Sequence, residues 1–140
     1  MSNTRETSTH TVLVVEDHED TAYLLRFVLE REGFSVIHAF DGESARHLTM
    51  TTAPPDLVLL DIMLPSLTGL ELLRAIRTTP EWQWTPVILL TTDSRSETMT
   101  EAASLGATEY ILIPFAPERV MKSVHQFLPK SDMPRELERV

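Results

Sequence analysis

Four short apolar runs alternate with amphipathic stretches along the chain, and a fifth, weaker run follows them. They cover Thr11 to Val15, Ser35 to Ala39, Leu57 to Leu60, Val87 to Leu90 and Tyr110 to Leu112. Runs this short and this rich in Val, Ile and Leu predict strands of a parallel sheet covered on both faces, since such strands have no solvent side on which to place polar residues. Between the first two runs, Tyr23, Leu24, Phe27, Val28 and Arg31 recur at helical spacing, and Gly33 stands where a helix end needs a left-handed residue. Further helices are predicted over Gly42 to Met50, Leu67 to Arg77, Ser96 to Leu105 and Pro117 to Leu128. The punctuation agrees: Pro54-Pro55 parts the second helix from the third strand, Pro80 and Pro86 bracket the loop before the fourth, and Gly106 ends the fourth helix. Ser94 and Glu97 have the spacing of a capping box, and Pro117 suits a first helical turn. Asp20 and Asp41 read as helix caps, and His18 as an exposed loop residue. The pattern is that of an α/β chain, a doubly wound five-stranded parallel sheet built from five βα units.

With 140 residues the chain has room for one such domain and not for two ordinary ones. The expected layout is a disordered N-terminal segment over 1–9, the domain over 10–128, and a solvated tail or truncated linker over 129–140, where KSDMPRELERV carries too few apolar residues for a core element. A net charge of -9 opposes direct binding to nucleic acid or to an anionic membrane. No apolar segment approaches the ~18 residues of a spanning helix, and MSNTRETSTH has no secretory signal, so a cytoplasmic location is expected. Without cysteine there is no disulfide, thiolate nucleophile or Cys-ligated zinc. The available chemistry is that of carboxylates and hydroxyls.

Loops leaving the C-terminal ends of parallel strands converge on one edge of the sheet, where ligands bind. Glu16 and Asp17 directly follow the first predicted strand, Asp61 follows the third, and Thr91 closes the fourth, so all four are expected at that edge. Carboxylates crowded there raise one another's pKa unless a cation neutralises them. Mg²⁺ fits best, because it takes oxygen ligands and commonly shares one or two carboxylates with a phosphate oxygen. With Asp61 central and a hydroxyl at Thr91, the pocket suits phosphoryl transfer onto a carboxylate.

The stretches VLVVEDHEDTAYLLRFVLEREGF, DLVLLDIMLPSLTGLELLRAIR, PVILLTTDS and YILIPF, spread over residues 10 to 128, resemble bacterial two-component response-regulator receiver domains of the CheY-like kind. That resemblance implies strand order 2-1-3-4-5, with Asp61 as phospho-acceptor from a sensor histidine kinase or phosphotransfer protein. It implies Mg²⁺ held by Glu16, Asp17, Asp61 and the Met63 backbone carbonyl, and Thr91 bonding the phosphoryl group. Tyr110 corresponds to the aromatic that moves with Thr91 and reshapes the face made by the fourth helix, fifth strand and fifth helix, where a downstream protein partner binds. The expected role is signalling, not enzymatic turnover, by a monomer or weak dimer.

One position departs from the family pattern. Receivers carry Lys before the proline of the fifth motif, where this chain has Ile113 before Pro114. The only lysines, Lys122 and Lys130, lie in or beyond the fifth helix, while Arg95 could reach over the pocket from its loop. A charge-assisted contact of roughly 1.5 to 3 kcal/mol is comparable to the whole coupling energy of a typical switch. Its loss therefore predicts Mg²⁺ binding retained, phosphorylation weakened and switching unreliable. Ile113-Pro114 is either cis, as in the family, or trans. The alternative function is a degenerate receiver that binds a partner without phosphorylation. An aspartyl phosphatase of the haloacid dehalogenase kind would need a second acid where Met63 stands, and an FMN binder would not place EDHED against a phosphate. No DNA-binding or enzymatic segment is read after residue 128, so the expectation is a stand-alone receiver or a part of a larger regulator.

Overall fold

Strands and helices alternate without exception in the computed structural model, which describes residues 9–129. Residues 1–8 and 130–140, with most of the expected N-terminal segment and tail and with Lys130, lie outside the described residues. The elements are β1 Thr11–Val15, α1 Glu19–Arg31, β2 Ser35–Ala39, α2 Gly42–Thr51, β3 Leu57–Asp61, α3 Gly69–Thr78, β4 Val87–Thr91, α4 Ser96–Ser104, β5 Glu109–Leu112 and α5 Pro117–Phe127. All pairings are parallel, in the order β2-β1-β3-β4-β5. The order reverses beside β1, and the ends of β1 and β3 open at that switch point.

Successive side chains of a strand point to opposite faces, so each central strand feeds two cores. On one face Leu13, Val15, Val58, Leu60, Val87 and Leu89 pack with Ala45 of α2, Leu72, Leu73 and Ile76 of α3, and Ala102 of α4. On the other, Val12, Val14, Leu57, Leu59, Ile88, Leu90 and Ile111 pack with Leu25 and Leu29 of α1 and Val120 and Val124 of α5. Trp82, from the loop after α3, is buried on the first face, and its indole N–H donates to the Thr52 carbonyl at 3.2 Å. Arg77 closes the opposite end of the sheet from the acidic loops: its guanidinium donates to the carbonyls of Gly106, Gln83 and Thr85. Among the described residues no helix is long and apolar enough to cross a membrane.

Several helix ends follow the expected chemistry. Asp41 caps α2 by accepting from the Ser44 amide at 2.7 Å, Pro117 opens α5, and Gly33 and Gly106 take φ of 94° and 99°. Others differ. The N-cap of α1 is His18, so Asp20 sits inside the first turn and acts there only through its charge. The N-cap of α4 is Arg95 without a side-chain cap, so Ser94 and Glu97 form no capping box. Asp93 takes over that turn, its carboxylate accepting from the Arg95 amide at 3.0 Å and the Thr98 hydroxyl at 2.8 Å. Neither donor is the Glu97 amide from which a Ser94 cap would accept. The capping box belongs instead to α3, between Thr68 and Glu71, which moves that helix start from Leu67 to Gly69.

Gly69 ties α3 to the functional end of β3. A Cβ there would stand 2.5 Å from the Asp61 carbonyl oxygen and 2.6 Å from the Ile62 Cα, both backbone atoms with little room to yield. Gly69→Ala is therefore expected to cost about 2 kcal/mol or more, read as a lowered urea midpoint. An unchanged midpoint would show that the β3–α3 junction yields freely.

Candidate functional site

The pleat decides which residues share the pocket at the strand ends. Continuing each strand's alternation past its last core residue places Glu16, Asp61, Thr92 and Ile113 on the face covered by α1 and α5, with Val14, Leu59, Leu90 and Ile111. These four line one pocket together with Asp17, His18, Thr21 and Met63. Thr91 and Tyr110 fall on the opposite parity, with Leu89 on the face of α2, α3 and α4.

Glu16 is only 2% exposed and Asp61 7%. Glu16 Oε2 accepts from the His18 amide at 3.1 Å, whereas Oε1 is buried and has no hydrogen-bond partner among the described residues. Asp61 Oδ1 accepts from the Met63 amide at 2.9 Å. Burial above all, then the negative charge of Asp61, with which the protonated Glu16 carboxyl can share a hydrogen bond, and to a lesser extent the charge of Asp17, pushes the Glu16 carboxyl up to about 8, against the opposing pull of the His18 amide. Donor atoms of Glu16, Asp17 and His18 lie within 4.8 Å of one another, and Asp61 faces the same pocket outside that tight group. Among the described residues, none lining the pocket is Lys or Arg. A buried carboxylate oxygen without a donor, in a hard-oxygen pocket lacking positive charge, fits a divalent ion such as Mg²⁺.

The fourth expected member is not in the pocket. Thr91 is fully buried, and its hydroxyl oxygen accepts from the Asp93 amide at 3.1 Å; Thr92 lines the pocket instead. Tyr110, half-buried, donates its hydroxyl to the Asp93 carbonyl at 2.7 Å. Thr91 and Tyr110 thus grip the two backbone polar groups of one residue. Asp93 is itself clamped by Arg95, whose guanidinium lies 2.7 Å from its carboxylate and holds it far below the usual carboxylate range.

A family profile described as the response regulator receiver domain matches residues 12–125. The chain belongs to this receiver family. It is 37% identical over 117 residues to the phosphate regulon transcriptional regulatory protein PhoB of Rhizobium meliloti (strain 1021), a match covering 84% of this chain and 51% of that protein. It is likewise 37% identical over 120 residues to the transcriptional regulatory protein CpxR of Escherichia coli (strain K12), covering 86% and 50%. The chain thus spans about half the length of the curated relatives it matches. Among solved structures, the chemotaxis response regulator CheY4 of Vibrio cholerae superposes with a TM-score of 0.80 at 29% identity, covering 86% of this chain and 99% of that one.

In this receiver domain the Ile113-Pro114 bond is cis, and Ile113 reaches the wall of the acidic pocket while packing against the α1 and α5 core. Lys122 is remote, in a groove between α1 and α5 with Arg31 and Glu32. The Arg95 guanidinium is bound to the Asp93 carboxylate, in an adjoining cavity that Asp17 and Met63 also line. Sequence reasoning missed Thr92, Asp93 and the approach of His18 to the carboxylates. Strand parity could have found Thr92. The other two depend on how loops fold over the strand ends.

Proposed function

We propose that Asp61 accepts a phosphoryl group from the phosphohistidine of a sensor histidine kinase or phosphotransfer protein, and that the modification changes affinity for a downstream protein at the α4-β5-α5 face. The observation that carries this reading is the buried Glu16 carboxylate, one oxygen unpartnered, in the same pocket as Asp61. The donors to hold Mg²⁺ would be Glu16, Asp17, Asp61 and the Met63 carbonyl; when bound, the ion neutralises charge on the carboxylates and the incoming phosphoryl oxygens. With Oδ1 of Asp61 held by the Met63 amide, Oδ2 is left to attack phosphorus. A P–O bond forms as the P–N bond to the donor histidine breaks, and the departing imidazole nitrogen takes a proton from water. The domain is then the recipient in the transfer and not an enzyme acting on small molecules.

Transmission starts from a pocket that Thr91 does not yet enter. Reaching a phosphoryl oxygen requires the Thr91 hydroxyl to turn from the Asp93 amide, and Asp93 also holds Tyr110. The displacement of one residue would therefore release both, altering the surface between α4 and β5. This reading places a monomer or weak dimer in the cytoplasm, acting through proteins and not by binding nucleic acid itself.

Incubating the full chain with acetyl phosphate or phosphoramidate and Mg²⁺ is expected to add one phosphoryl group, lost in Asp61→Asn and suppressed by EDTA. Mass spectrometry reads it directly. Undiminished labelling of Asp61→Asn, or no labelling of the wild type by any donor, would overturn the proposal.

A further inference from the structure

We infer that His18 supplies a nitrogen ligand to the ion in the acidic pocket, making the site selective for first-row transition ions such as Mn²⁺ and Ni²⁺ over Mg²⁺. The inference deepens the proposed function, since it rests on the same metal site. Its basis is a donor set of two carboxylates and an imidazole. One ligand atom each from Glu16, Asp17 and His18 falls within 4.8 Å of the others. Two donors on opposite sides of an octahedral ion, each at about 2.1 Å, stand ~4.2 Å apart, so a small rotation of the exposed Asp17 and His18 side chains closes the set. The second observation is independent: Glu16 is 2% exposed, lines the pocket, and keeps Oε1 without a hydrogen-bond partner among the described residues. An oxygen left so has a coordination position to fill.

The backbone sets this geometry. His18 is the N-cap of α1, in extended conformation with φ -84° and ψ 117°, and its amide is bonded to Glu16 Oε2. That bond folds the Glu16–Asp17–His18 turn back on itself and brings the imidazole to the carboxylates. No side-chain cap is made by His18, so the ring is not committed to the helix end. Mg²⁺ prefers oxygen and keeps its water, whereas imidazole suits the later ions of the Irving–Williams order. All divalent ions gain from the carboxylates; only the nitrogen-accepting ones gain from His18.

The test compares the full chain with His18→Ala and His18→Asn, the latter replacing the ring nitrogen by an amide oxygen. Calorimetric titration with Mg²⁺, Mn²⁺ and Ni²⁺ is combined with pulsed electron paramagnetic resonance of the Mn²⁺-loaded protein. Expected are at least a tenfold loss of Ni²⁺ affinity and a smaller loss for Mn²⁺ in both variants, Mg²⁺ affinity within about threefold, and a ¹⁴N coupling present only in the wild type. Equal losses for all three ions, or a ¹⁴N coupling that is absent from the wild type or persists in the variants, would overturn the role of His18. If the wild type binds Mg²⁺ and is phosphorylated but shows no ¹⁴N coupling, only this inference fails. If it binds no divalent ion, the metal-assisted function fails with it.

Discussion

Ile113→Lys is expected to tighten binding of beryllofluoride, a phosphoryl mimic, by roughly 10- to 100-fold in the presence of Mg²⁺. The pocket holds Glu16, Asp17 and Asp61 with no cationic side chain among its lining residues, and Ile113 forms part of its wall. A lysine there can lay its methylene stem on the apolar ground that Ile113 now covers and carry its ammonium to the carboxylates. A hydrogen bond from that charge to the mimic is worth about 1.5 to 3 kcal/mol, the source of the expected factor. Mg²⁺ alone should respond in the opposite sense, weakening a few-fold, because the ammonium repels the ion while it stabilises the anion. Isothermal titration of both ligands into both proteins separates the two effects. Equal mimic affinity in wild type and variant would show that the native pocket meets the phosphoryl charge by another route. Full and stable phosphorylation of the wild type with a large shape change would equally refute the expectation of unreliable switching.

Why the fold was legible and the site only partly so can be traced to particular residues. The apolar runs of the three central strands are buried on both faces, so their composition pointed to a parallel sheet: β3 and β4 are buried along their whole length, whereas the edge strands β2 and β5 are partly exposed. The turns were equally plain where one residue type is demanded, as at Gly33, Gly106 and Pro117. Legibility failed where two residues compete for the same role. Asp93 displaced Ser94 as the organiser of the α4 start, and His18 displaced Asp20 at the start of α1. Arg77 and Trp82 show the other limit. Their partners are carbonyls of Gly106 and Thr52, which any sequence supplies and no pattern marks.

At the site, position after a strand pointed to Glu16, Asp17 and Asp61, which line one pocket together with Met63, a residue implied by the family resemblance alone. It could not separate Thr91 from Thr92, because adjacency to a strand end fixes depth along the sheet and not the face. The pleat fixes the face. Counting alternation from the buried Leu90 assigns Thr92 to the carboxylates and Thr91 to the side of Tyr110. Thr91, on that other side, holds the Asp93 amide with its hydroxyl oxygen, and this is the bond it would have to give up to serve the pocket.

The metal-free protein is expected to lose on the order of a few kcal/mol of stability as the pH rises from about 5 to 8.5. The Glu16 carboxyl is raised from 4.5 in the unfolded chain to about 8 in the folded one, by burial first and by the charge of Asp61 second. A raised folded pKa means that the native state holds the proton more tightly than the unfolded state. Its stabilising contribution is then complete below the unfolded value and decays through the interval up to the folded one, at about 1.4 kcal/mol per pKa unit. Asp41 and Asp93 are shifted downward, so their contributions are lost only on acidification below the ordinary carboxylate range and do not enter this window. Glu16→Gln keeps the shape and removes the titration, and should flatten the profile between pH 5 and 8.5. Urea midpoints in EDTA measure both. Because the ion and the proton compete for one carboxylate, stabilisation by saturating Mg²⁺ should grow with pH across the same interval and shrink in Glu16→Gln. Two outcomes would show that the unpartnered oxygen of Glu16 is not where the charge of this site is balanced. They are a flat wild-type profile and an equal slope in the variant.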